Sequence, residues 1–561
     1  MKLLHKIFIL LIFACFALTA CKTNEPVSEV EPLPFTKGVN LLRWFETWNN
    51  TLPPLNKYDE ADFACLKSMG VDIIRLPIHF EFVMEPNYTG KIDNIILEKL
   101  DQVCDWAEKY QIYLVIDNHS FNDPEQQKDA TPETYETHLK ALWPQIAERY
   151  KNRSEYIIYE ILNEPPEDLM NSWDKIQREI LALIRQYDTK HTVVVTTANW
   201  SHTDDLIKMK PYEDKNLIYA FHFYLPEMFA NQGTGVWSAN IRDLPFPYDK
   251  KRMPKLDDSL EAWVKNNIQT IYPQQGNEAF LNNKIKEVAD WAKKNNVRIW
   301  CGELGVAARM MPKDRLYCIK TNVAALNNYN IPYCTWGIDA DFGFLETEDL
   351  SLIFPDDIDK YALDAYGLKL PDESLVSKTN LELKTFPQQP YVVFDGLCGK
   401  GTSTYHSYLS KAAKDDESHN YFQESSGMKD ANFILNLPKA IASKVAEYHN
   451  ELALSFTVKF NDANQVFEIH LVDSDGGEKL PPWRNTVYIR ASDYKVGEWL
   501  TVEVPMSKFK ESGAWSDKVN KWYNPQGKFD WSRFEHIFFG FHHDNNQNGD
   551  IYIDDVMIKQ K

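Results

Sequence analysis

The chain has 561 residues, of which 44% are hydrophobic and 25% charged, and its formal net charge is −20. That length exceeds the usual ~100–200 residues of one domain, so at least two folded units are expected. The acidic balance excludes nucleic acid and acidic polymers as partners, because these need clustered Lys and Arg. A neutral substrate fits better, and the 16 Trp, 28 Tyr and 30 Phe supply rings for sugar-facing surfaces as well as for a core.

At the N-terminus, Lys2 and Lys6 lead into IFILLIFACFAL, a run too short and wrongly flanked for a membrane span. Residues 1–20 therefore read as a cleaved targeting segment. Leu18-Thr19-Ala20-Cys21 resembles the bacterial lipoprotein signal. That resemblance implies lipid attachment at Cys21 and an exported, membrane-anchored protein, on the cell surface or the periplasmic face of the outer membrane. Ordinary secretion with cleavage nearby is the alternative. Residues 21–35, rich in Pro and acidic side chains, read as a tether. Among Cys65, Cys104, Cys301, Cys318, Cys334 and Cys398 no pair has metal-ligand spacing, and several sit inside apolar runs as small buried hydrophobes.

From 36 to 370, short apolar runs alternate with amphipathic segments, which implies parallel strands joined by helical crossovers. The runs are GVNLL, VDIIRLP, IYLVIDNH, YIIYEILN, TVVVTTA, LIYAFHFY, VRIWCGELG and IPYCTWGID. Between them, Ile96, Leu100, Val103, Cys104 and Ala107 share one helical face, as do Tyr135, Leu139, Leu142, Trp143, Ile146 and Tyr150. Thr131-Pro132 marks a helix start. Eight such units, with no glycine-rich phosphate loop after the first strand, predict an α/β fold of the (β/α)8 TIM barrel type. Residues 371–390 read as a linker. Beyond it, alternating segments such as ELALSFTVKF and EWLTVEVPM predict an all-β, jelly-roll-like antiparallel sandwich over 391–561.

In such a barrel the active site lies at the C-terminal strand ends. The second strand ends near Arg75, the third in Asp117-Asn118-His119, the fourth in Asn163-Glu164, the sixth in His222-Phe223-Tyr224, the seventh in Glu303 and the eighth in Trp336. Glu164 and Glu303 form a carboxyl pair suited to glycosidic cleavage, in which one protonates the leaving oxygen and the other attacks carbon or activates water. Their separation decides between retention and inversion. Repulsion from an ionised Glu303 is expected to raise the pKa of Glu164.

IIRLP, the strand ending in DNH, YEILNEP, HFY, the Glu of WCGELG and the Trp of CTWG together resemble glycoside hydrolase family 5, over about 36–368. The resemblance implies that Glu164 is the acid/base and Glu303 the nucleophile. It also implies that Asn163 binds the sugar 2-hydroxyl, that Tyr224 and Arg75 hold the nucleophile ionised, that His119 and His222 position sugar or glutamate, and that Trp336 stacks under the scissile sugar. Arg75 has a second reading, as structural partner of Glu160. His119 and Trp336 have bland readings as packed interior groups, and the second His that often neighbours His119 in the family is absent.

The segment 225–275, with Phe229, Trp237, Phe246, Tyr248 and Trp263, reads as a cleft-building insertion or a self-packed loop. In the C-terminal domain Trp483, Trp515, Trp522 and Tyr523 are candidate stacking rings of a carbohydrate-binding module; a purely structural sandwich is the alternative. Asp544, Asn546, Asn548, Asp550 and Asp555 follow calcium-loop spacing, but their strand-like flanks favour a tight hairpin. No cofactor is expected, and a structural calcium is the sole metal candidate. The reading is a retaining endo-β-glycosidase for a β-1,4-glucan such as cellulose, xyloglucan or mixed-linkage glucan. A β-mannanase is the nearest alternative, and a non-catalytic glycan-binding lipoprotein or a structural surface protein the alternatives of another class.

Overall fold

The computed structural model describes residues 30–561 apart from 48–52, 122–128, 308–310, 340, 346–354, 356, 376–382, 398, 400, 405–409, 414–421, 425–431, 478–479 and 542–548. The lipidation candidate Cys21, together with Cys398, Asp544, Asn546 and Asn548, lies outside the described residues.

Eight parallel strands close a barrel: β1 (Lys37–Asn40), β2 (Ile73–Ile78), β3 (Tyr113–Asn118), β4 (Ile157–Glu160), β5 (Thr192–Val195), β6 (Leu217–Phe223), β7 (Arg298–Leu304) and β8 (Tyr333–Thr335). Each falls within one of the apolar runs or overruns it by a single residue. These strands are covered on both faces, which is why they read as near-continuous hydrophobic stretches rather than alternating ones; every residue of β2 and of β6 is buried. The helices Asn94–Tyr110 and Pro132–Tyr150 bury the two faces expected from their periodicity. Thr131 and Thr134 cap the second helix reciprocally, and Pro132 occupies its first turn, where a missing N–H costs nothing.

The barrel interior has two layers. Phe35, Ile73, Val115, Ile158, Val194, Ile218, Ala220, Trp300 and Cys334 form an apolar floor, with Phe35 entering from the segment before β1. Above it lies a polar layer centred on Arg75, which sits inside β2 rather than at its end, because that strand runs on to Ile78. Cys65, Cys104, Cys301, Cys318 and Cys334 are buried and unbridged.

The insertion after β6 is built of short helices, Glu227–Ala230, Gly235–Ser238, Ala262–Thr270 and Tyr272–Gln275. Phe229, Phe246 and Tyr272 are buried within it, while Trp263 is exposed beside Trp237.

The C-terminal domain has two antiparallel sheets. One contains Leu452–Phe460, Leu500–Pro505 and Ile551–Gln560; the other orders Asn432–Asn436, Phe534–Gly540, Val466–Asp473, Trp483–Arg490, Lys510–Ser516 and Lys521–Tyr523 side by side. This corrects the hairpin expected around residue 545: the strands that flank it, Phe534–Gly540 and Ile551–Gln560, belong to different sheets and do not pair with each other. Asp555 lies within the second of these strands, and its Oδ2 accepts from the Thr457 hydroxyl.

Candidate active site

Arg75 organises the upper layer. Its Nε and Nη2 donate to the two oxygens of Glu160, its Nη1 to Glu303 at 2.7 Å and Asn40 at 3.1 Å, and its Nη2 also to Asn163 at 2.8 Å. Both readings of Arg75 therefore describe real contacts: one guanidinium serves Glu160 and Glu303 together. Its five N–H groups are all taken, as the fork geometry of guanidinium allows. A fully buried cation of this kind needs such pairing, since an isolated charge in the interior is costly.

Strand β7 brings Glu303 into the layer through an irregularity. Phe221 on β6 pairs with Cys301, yet His222 pairs with Glu303, so Gly302 is an extra residue on β7. The bulge re-aims Glu303 toward His222 and Tyr224. Glycine leaves room here, because a Cβ at 302 would lie 3.2 Å from His222 Nε2, a tight contact. Tyr224 donates its hydroxyl to Glu303 Oε2 at 2.6 Å. Burial, followed by the charge of Glu303, holds that phenol well above its ordinary pKa, so it remains a donor.

Glu164 follows β4 in a left-handed backbone conformation, φ +35°, which is strained for a residue with a side chain. The strain turns its carboxyl over the barrel mouth, where Oε1 lies 2.6 Å from His222 Nδ1. Burial lowers the pKa of His222 to about 4, so the ring is neutral. Its Nε2 has no hydrogen-bond partner. A hydrogen placed on Nε2 would thus be a buried orphan donor, so Nδ1 carries the proton and donates it to Glu164 Oε1.

Ligand atoms of Glu164, His222 and Glu303 all lie within 4.8 Å of one another. No other group of three or more His, Cys, Asp or Glu side chains among the described residues comes as close, and a metal ion would also accept this spacing. Burial pushes both carboxyls up to about 7. For Glu164 the chief cause is thus removal from water rather than the expected repulsion by Glu303. The two differ in their partners: Glu303 receives Arg75 and Tyr224, which stabilise its anion, whereas Glu164 receives only neutral His222. The pair's first proton accordingly leaves Glu303, and the remaining one stays on Glu164.

Asn163 joins Arg75 to His119, with Nδ2 3.3 Å from His119 Nε2. The His119 ring stacks with His79, at 5.9 Å, and with Trp336, at 5.5 Å. All eight barrel residues singled out in the sequence therefore converge on one pocket. Sequence reasoning left Asn40, Asp117 and His79 without roles there; strand alternation, which puts Asp117 on the face of His119, was the available signal. Trp200 was also missed. It is 37% exposed, lies in a run of positive-φ residues, Asn199–Ser201, and bonds through its backbone N–H to Pro165 O, next to Glu164.

In the C-terminal domain Trp483 is buried and not available for stacking, a correction that follows from its inward register opposite Ala514. Trp522 is 43% exposed and lies over Gly513, where a Cβ would come within 2.5 Å of its ring. Arg484 sits between Trp522 and Phe538, 5.8 and 5.6 Å from their centroids, and exposed Tyr488 shares its face by alternation. Trp515 pairs with Trp522 across the strands, and Tyr523 is half-buried near Trp483.

A closed parallel barrel carrying paired glutamates after its fourth strand and within its seventh has the design of a barrel glycosidase. Residues 34–341 match the Cellulase family, glycosyl hydrolase family 5, and 399–560 match Carbohydrate binding domain 30. The chain belongs to glycosyl hydrolase family 5 and carries a carbohydrate-binding domain after its barrel. Endoglucanase 3 of Fibrobacter succinogenes is 29% identical over 58% of this chain and 53% of its own length. Endoglucanase C of Acetivibrio thermocellus is 26% identical over 54% of this chain and 90% of its own. The chain thus spans about half of the first relative and most of the second. The crystal structure of endoglucanase Cel5A from Thermotoga maritima aligns at 24% identity with a TM-score of 0.49, over 59% of this chain and 96% of that one.

Proposed function

We propose that the protein is a retaining endo-β-1,4-glucanase that cleaves its polysaccharide by double displacement, with Glu303 as nucleophile and Glu164 as acid/base. The carrying observation is the close approach of the two carboxyls, with one oxygen of Glu164 within 4.8 Å of one oxygen of Glu303. Retaining enzymes hold them about 5–5.5 Å apart, whereas inverting ones need about 6.5–9.5 Å to admit a water.

The steps follow from the partners. Glu303, ionised between Arg75 and Tyr224, attacks the anomeric carbon. Glu164 gives its proton to the departing glycosidic oxygen from Oε2, because Oε1 is occupied by His222. A glycosyl ester on Glu303 results. Glu164, now a carboxylate, takes a proton from water as that water attacks the same carbon, and Glu303 departs as the carboxylate. Trp336, stacked on His119, offers its other face to the sugar being cleaved. The β-1,4-glucan assignment draws on the two endoglucanase relatives. The carbohydrate-binding domain holds the same polymer, with Trp522 and Tyr488 as its open rings. The signal-like LTAC sequence supports a lipoprotein displayed from a bacterial membrane by Cys21.

Incubation with carboxymethylcellulose, barley β-glucan, xyloglucan and mannan, with reducing-end assay and product sizing, tests the substrate. Proton NMR of the first product tests the stereochemistry. An initial β-anomer is expected from the glucans; an initial α-anomer, or release from mannan alone, overturns the reading.

A further inference from the structure

Asp117 takes no part in the steps above, yet it is fully buried at the centre of the polar layer, in register with Glu160. Its Oδ2 lies 3.0 Å from Arg75 Nη2, but the N–H groups of Arg75 are already taken. Its Oδ1 has no hydrogen-bond partner. The hydrogen bond it does make is with His119, whose Nδ1 is 2.7 Å from Oδ2.

The direction of that bond is fixed from the far side. Arg75 has only donors, so Asn163 must turn its Oδ1 toward Nη2 and its Nδ2 toward His119. His119 Nε2 then has to be the acceptor, which leaves the ring hydrogen on Nδ1, donated to Asp117. Burial holds His119 well below its ordinary pKa, so it has one ring hydrogen and not two. The ring is further held by two stacked neighbours, His79 and Trp336, at interplanar angles of 17° and 19°.

We propose that Asp117 is a positioning residue: acting through His119, it holds the amide of Asn163 in the orientation that meets the 2-hydroxyl of the sugar being cleaved. A contact to the 2-hydroxyl strengthens in the transition state, so a misaimed amide costs turnover more than binding. This rests on the pocket being a glycosidase site.

The test compares an aryl β-cellobioside with its analogue lacking the 2-hydroxyl on the sugar to be cleaved, in wild type, Asp117→Ala, Asn163→Ala and the double variant. Asp117→Ala is expected to shrink the wild-type preference for the hydroxyl-bearing substrate at least tenfold, mainly in kcat, and the double variant to show no less preference than Asn163→Ala alone. Equal slowing of both substrates by Asp117→Ala, or multiplying effects in the double variant, overturns the proposal. If the alanine variant does not fold, Asp117→Leu, of similar shape but with no acceptor for His119, is read in the same assay, and an unchanged preference there overturns it equally. Failure of the wild type to cleave either substrate would instead remove the glycosidase reading itself.

Discussion

Tyr224, just past the end of β6, donates to Glu303 at 2.6 Å, and so helps fix the charge on the attacking oxygen pair. Hydrogen bonds to charged groups contribute about 1.5–3 kcal/mol. Tyr224→Phe should therefore lower kcat/KM by about 10–100-fold. Because a donor to the anion is lost, the pKa of Glu303 rises and the acid limb of the pH profile moves to higher pH. A slower enzyme with an unmoved acid limb would argue against this role.

Glu303→Gln should lower kcat on every substrate by at least ~10³-fold, since no nucleophile remains. Glu164→Gln should be as damaging on polysaccharide but far milder on aryl glycosides whose leaving group departs without a proton. Steady-state rates on the two substrate types separate the roles, and equal damage by both variants on the aryl glycosides would contradict them.

The active pair holds one proton. Below its first macroscopic pKa, Glu303 is protonated and cannot attack; above its second, Glu164 has lost the proton it must give. With both carboxyls pushed up to about 7, kcat/KM should follow a bell centred near neutral pH. A profile flat between pH 5 and 9, roughly two units to each side, would not be compatible with this coupling.

Burying Glu164 also carries a cost in stability. Its pKa rises from 4.5 in the ordinary state to about 7 in the fold, so the native protein binds the proton more tightly than the unfolded chain does. The penalty is absent below the ordinary value and grows as pH rises through the window up to about 7, where stability falls. Glu164→Gln should thus raise stability by roughly 1–3 kcal/mol above neutrality and leave it unchanged in acid. Thermal melts of the two proteins across pH give the comparison; a constant difference would exclude the linkage.

Trp522 is the most open tryptophan on the sheet that carries it, and its ring lies where a side chain at residue 513 would stand. Trp522→Ala should weaken binding to insoluble or long-chain glucan by about 1–3 kcal/mol, on the scale of ring stacking, and leave hydrolysis of a short aryl cellobioside intact. Pull-down on cellulose beside a soluble assay checks both. Unchanged retention would place the glycan elsewhere on the domain.

The barrel was legible because its strands are buried on both faces and its helices on one, and such patterns survive in linear sequence. YIIYEIL and LIYAFHF could be nothing but interior strands once the intervening helical periods were seen. Convergence of the polar strand ends followed from topology. The relation of Glu303 to His222 did not, since it depends on a one-residue register shift at Gly302 that no local pattern announces. The cause of Glu164's raised pKa was also hidden: depth below the rim is a three-dimensional quantity, whereas a second carboxylate can be counted in sequence. In the sandwich, alternation revealed strands but not their sheet, so Trp483 could not be distinguished from Trp522, nor a hairpin from two strands of different sheets.

Phe35 closes the barrel from beneath, while the carboxyl pair opens at the opposite rim. Anything that grips the chain just upstream therefore holds the enzyme by its base. Hung that way over a surface, the molecule presents its cutting edge outward, toward fibres too large to approach from behind, and the support never competes with the polymer for the same side.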